Sequence, residues 1–160
     1  MIQSAQIEAR RLTELLIQQR DVYLKLRELA TAQTSAVQDE RPEELLRILG
    51  DRQRRITELL EINTQLEPFR SRWGELREAM GRGERLEVGE LVEEVQGLLS
   101  QILRQDEGDC DALRQRTESH RSAAAAVVFG QRANAAYASG QCVAGGSRYV
   151  DCNDQERGQP

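Results

Sequence analysis

The chain predicts an all-α fold: an elongated antiparallel helical bundle or coiled coil of three to four helices, with a long C-terminal helix and a flexible tail. Three observations predict it. Apolar residues recur at helical spacing, Gly and Pro gather at a few positions, and aromatic residues make up only 4% of the sequence. Scarce aromatics weigh against sandwiches and barrels, whose strands are rich in them. At 160 residues there is room for one helical domain, residues 1–138, and a tail, residues 139–160; a large enzyme is not expected.

The first helix is expected over about 4–38, where neither Gly nor Pro interrupts the pattern. Leu15, Val22, Leu29 and Ala36 lie seven apart, and Leu16, Tyr23, Ala30 and Val37 repeat beside them, which makes one amphipathic helix. Pro42, followed by Glu43 and Glu44, is a restart signal, because Pro fits a first turn and acids favour the positive end of the helix dipole. A second helix is expected over 42–67, and two interleaved series run from Pro42 to Met80: Leu45, Leu59, Leu66, Trp73, Met80 and Ile48, Ile62, Phe69, Leu76. Pro68 removes a backbone donor and predicts a break near Glu67, with a further helix over 68–80. Gly81-Arg82-Gly83 then reads as a linker.

The last helix is expected over 87–137, with a dense face of Leu91, Val92, Val95, Leu98, Leu99, Ile102 and Leu103. That face fades at Asp106-Glu107-Gly108-Asp109-Cys110-Asp111, which reads as a solvated bend or break, and leaves Leu113 as the only large aliphatic anchor before Ser122. An Ala-rich segment from Ala123 to Ala138 follows, containing Val127, Val128, Phe129 and Tyr137. Gly, Ser, Asn and Asp dominate after Ser139 and predict the tail.

Charge and motifs exclude several function classes. The net charge is −5, and basic residues are dispersed, so no nucleic-acid partner is expected; Arg52, Arg54 and Arg55, flanked by Asp51 and Glu58, read as a solvated helix face. Cys110, Cys142 and Cys152 give neither a disulfide framework nor a zinc spacing. The longest apolar run, Ala123 to Phe129, is far shorter than a membrane span, so no direct membrane insertion is expected, and the chain reads as soluble and cytoplasmic.

The acids at 106–111 do not match a calcium-loop template, and His120 has neither a nucleophile nor an orienting acid placed for catalysis. No enzyme activity, metal or cofactor is expected. What remains is helical surface. Ala123 to Tyr137, separated from the main core by a polar interval, either folds back on the bundle or offers a face to a partner helix.

Three passages carry a family resemblance: Leu15-Leu16-Ile17-Gln18-Gln19-Arg20 in the first helix, Leu45 to Ile56 in the second, and Arg132-Ala133-Asn134-Ala135-Ala136-Tyr137 followed by a Gly/Ser spacer and Ser147-Arg148-Tyr149-Val150-Asp151. The arrangement resembles the FlgN family, cytoplasmic chaperones of flagellar type III export. The tail departs from the family pattern at Cys152-Asn153-Asp154-Gln155, and the interval Asp106 to Asp111 is unusually acidic.

The resemblance implies a carrier in flagellum biogenesis that binds the C-terminal helical region of hook-associated (hook-filament junction) proteins, prevents their premature assembly and delivers them to the export gate. It places client binding on the helix from about Leu113 to Ala138, with Leu113, Val127, Val128 and Phe129 packing on the client helix and Tyr137 contacting the gate. The rival expectation is a generic antiparallel coiled-coil adaptor or structural bundle, in which the same heptads serve self-association.

Overall fold

A computed structural model describes the backbone of residues 2–139 and the side chains of residues 3–128. Among these the secondary structure is entirely helical: α1 (Ile2–Gln38), α2 (Pro42–Ser71), α3 (Trp73–Ala79) and α4 (Arg82–Ser139). The fold is all-α, as the periodicity requires. The expected tail, from residue 140 onward, lies outside the described residues. The chain divides into two compact units, Met1–Arg116 and Thr117–Pro160.

In the first unit, α1 supplies the central stripe. Leu12, Leu15, Leu16, Val22, Tyr23, Leu26, Ala30 and Val37 are buried at intervals that keep them on one broad face. Cross-helix bonds fix the directions. Arg72 meets Glu8, the Gln19 amide donates to Asn63, and Arg52 donates to Gln33, so α2 runs antiparallel to α1. Arg20 meets Glu94, the Gln105 amide donates to Thr31, and the Gln33 amide donates to Asp109, so α4 runs parallel to α1 as far as Arg116. Helices α1, α2 and the first part of α4 therefore form an up-down-up bundle. Leu66, Met80, Val88, Leu91, Leu98 and Ile102 close its apolar core.

The connection from α1 to α2 is a Schellman turn. The Arg41 N–H donates to the Ala36 carbonyl, the Glu40 N–H to the Val37 carbonyl, and Glu40 takes a left-handed φ of 53°. The restart at Pro42 is observed as expected.

Three boundaries differ from the sequence reading. Helix α2 continues through Glu67 and Pro68 to Ser71 and breaks only at Arg72. Thr64, whose carbonyl loses its donor to Pro68, is exposed, so water can satisfy it, while buried Leu66 and half-buried Phe69 hold the helix in register. Helix α4 starts at Arg82, not Glu87, because the Glu84 carboxylate accepts from the Gly81 N–H at 3.1 Å; Gly81 to Gly83 is a helix cap and first turn rather than a linker. Helix α4 also passes through residues 106–111 without the expected bend, and the bonds described next account for that.

Candidate functional site

The inward positions of α4 alternate three and four apart: Val88, Leu91, Val95, Leu98, Ile102, Gln105, Asp109, Ala112 and Arg116. From Gln105 onward, Gln105, Asp109 and Arg116 take places that aliphatic residues held, with Ala112 among them. In α2, the gap in the series of Leu45, Leu59 and Leu66 is position 52, and the gap between Ile48 and Ile62 is position 55; arginines fill both. The stripes of α1, α2 and α4 thus converge on a polar layer.

At that layer Arg52 donates from Nη1 and Nη2 to the two carboxylate oxygens of Asp106 at 2.6 and 2.8 Å, and from Nη1 to the Gln33 side-chain oxygen at 2.6 Å. The Gln33 amide donates to Asp109 at 2.8 Å and more weakly to Asp106 at 3.3 Å. The Arg52 side chain is 13% exposed and Asp109 is 4% exposed, so neither is the solvated group expected from sequence. The hydrogen bonds that Arg52 donates to Asp106 raise the Arg52 pKa, partly opposed by burial, and the charges of Asp106 and Asp109 raise it further. Beyond the layer Arg116 donates to the carbonyls of Val37 and Gln38 and faces Glu40, a cation placed on the last turn of α1.

The opposite end of the bundle is open on one side. Between α2 and α4, above α1, lies an apolar groove of about 680 Å³. Leu12, Leu16 and Tyr23 form its floor, Phe69 and Trp73 one wall, and Val92 and Leu99 the other. Burial raises the Tyr23 pKa, and the Arg70 guanidinium at the rim partly offsets that. Among the described residues no group of His, Cys, Asp and Glu is arranged to hold a metal ion. No helix of the described residues is long and apolar enough to cross a membrane.

The residues singled out for partner binding fall in different units. Leu113 belongs to the first and is 40% exposed. Val127 and Val128 belong to the second and are 59% and 45% exposed. The Phe129 and Tyr137 side chains lie outside the described residues. His120 is exposed on α4, and Cys110 is an exposed free thiol.

Sequence reasoning missed both the polar layer and the groove. The layer had a signal in the gap at position 52 of the α2 heptads and in Asp109, which continues the series Val88, Val95, Ile102. The groove had none, because it arises from how far α2 and α4 stand apart.

No known protein family, curated protein or solved structure matches the chain.

Proposed function

We propose that this protein is a helical carrier of the kind its sequence resembles, a cytoplasmic export chaperone that covers an amphipathic helix of a hook-filament junction subunit until delivery to the export gate. One observation carries the reading. From Glu118 to Val128 every residue of α4 is exposed, and within that stretch Ala123, Ala124, Val127 and Val128 sit at helical neighbour spacing. An apolar patch on an otherwise polar helix suits a partner helix laid along it, and a client helix exposed before assembly needs such a cover. The carrier acts stoichiometrically, without a cofactor or a catalytic step. By the same resemblance Leu113 and Phe129 are assigned to client packing and Tyr137 to the gate.

Pull-down of purified junction subunits with Val127→Asp and Val128→Asp tests this. Binding lost while the circular-dichroism spectrum is kept supports the assignment; capture equal to the unmodified chain removes these residues from the site. Tyr137→Ala is expected to keep client capture and lose secretion.

A second reading, the coiled-coil adaptor, draws on Leu46, Leu49, Ile56 and Leu60 of α2, which are exposed along one side of that helix. Light scattering separates the two, since an adaptor built on that seam is a stable oligomer and a monomeric mass excludes it.

A further inference from the structure

The polar layer divides the apolar interior of the first unit in two. On one side, residues of α1 from Ala9 to Ala30 share a single buried cluster with Ile62 and Leu66 of α2 and with Val88, Leu91, Leu98 and Ile102 of α4. On the other side, between the layer and the turn that joins α1 to α2, Ala36, Val37 and Ile48 are buried but stand outside that cluster.

Helix α4 changes character at the same level. Its inward positions up to Ile102 are aliphatic, whereas those beyond, Gln105, Asp109, Ala112 and Arg116, include no large apolar side chain. Hydrogen bonds join this part to its neighbours: Arg52 donates to Asp106, Gln33 to Asp109, Gln105 to Thr31, and Arg116 to the carbonyls of Val37 and Gln38. When a helix lifts away, bonds of this kind are exchanged for bonds to water, so they resist release less than aliphatic burial does. The buried side-chain oxygen of Gln105 accepts no hydrogen bond from the described residues, and lifting gives it water. Gly108, inside the segment, lowers its helix propensity.

We infer that residues 105–116 of α4 form a releasable strap. The segment lifts from α1 and α2 as a unit and uncovers Val37 and Ile48, while the cluster from Ala9 to Ile102 stays assembled. The device does not depend on the client assignment.

Val22 and Val37 are a matched pair of probes. Both are valines of α1 and both are 2% exposed, yet one lies inside the main cluster and the other beyond the layer. The experiment is thiol labelling of Val22→Cys and Val37→Cys in the full-length chain, each carrying Cys110→Ser, Cys142→Ser and Cys152→Ser. Val37→Cys is expected to react at least tenfold faster than Val22→Cys in native buffer. Its rate is expected to stay nearly flat in urea below the unfolding transition, because strap release exposes little surface, whereas Val22→Cys accelerates with urea.

Two further changes separate the strap from other openings. Leu91→Ala weakens the main cluster, so it is expected to speed Val22→Cys at least tenfold and leave Val37→Cys within twofold; Val88→Ala serves if Leu91→Ala does not fold. Asp106→Asn weakens the layer and is expected to speed Val37→Cys at least fivefold. Equal rates at the two probes, or Leu91→Ala speeding both together, would mean one cooperative core and overturns the inference. So does a Val37→Cys rate unmoved by Asp106→Asn, which assigns the opening to fraying of the α1–α2 turn.

Discussion

Removing the Arg52 side chain deprives the polar layer of the cation that bonds Asp106 and Gln33. Asp106 then loses both bonds from the guanidinium, and Asp109, at 4% exposure, keeps only the Gln33 amide. Breaking a buried ion pair from one side costs about 3–5 kcal/mol, because the remaining charge stays in a poorly solvated place. Asp106 is 31% exposed and recovers some water, which places the expected cost of Arg52→Ala at about 2–3 kcal/mol. In a domain of this size that lowers Tm by roughly 6–12 °C.

Urea unfolding followed by circular dichroism measures the loss, and the double-mutant cycle with Asp106→Ala isolates the pair. Coupling of at least about 1 kcal/mol is expected for two residues in direct contact. A cost below about 0.5 kcal/mol, or additive single effects, would mean that the layer is held by something other than these bonds. The companion experiment replaces Gln33, Arg52, Asp106 and Asp109 together with aliphatic residues. Its expected stability is equal or higher, since apolar packing often outperforms a buried ionic group. Its expected defect is a loosened register between α4 and α1, visible as broadened amide resonances in residues 105–116.

Further outcomes follow from the same geometry. Glu40→Gly relieves a left-handed residue at the end of α1, and a gain of about 0.5–1 kcal/mol in thermal unfolding is expected even though the exposed contact with Arg116 is lost; no gain would show that the turn is unstrained. Tyr23 has its pKa raised by burial, so its contribution to stability is whole below the ordinary tyrosine value of 10.0 and is lost as pH climbs through its higher folded value. Tyr23→Phe is therefore expected to flatten the alkaline limb of a stability profile, and an unchanged limb would assign that loss to other groups.

The helices were legible because helix formation is local. Spacing within one segment states which side of it avoids water, and that was enough for α1, for the restart at Pro42 and for the apolar face of α4. The two boundaries misread around Pro68 and Gly81 turn on neighbours: an exposed Thr64 that tolerates a lost donor, and a Glu84 that reaches back to cap a helix.

Residues 106–111 were misread for a longer-range reason. Acids on one helix look solvated until an arginine 54 positions away and a glutamine 76 positions away are brought beside them. Only α4 running alongside α1 and α2 brings two residues of that run, Asp106 and Asp109, into a polar layer of the bundle, while Glu107 and Asp111 stay exposed.

The sequence alone determined that the chain makes amphipathic helices and where most of them start, since those choices rest on periodicity and on backbone chemistry within a few residues. The tertiary structure decided which polar side chains enter the core and that one corner of the bundle stays open. Both depend on the distance and register between helices, quantities that no single helix encodes.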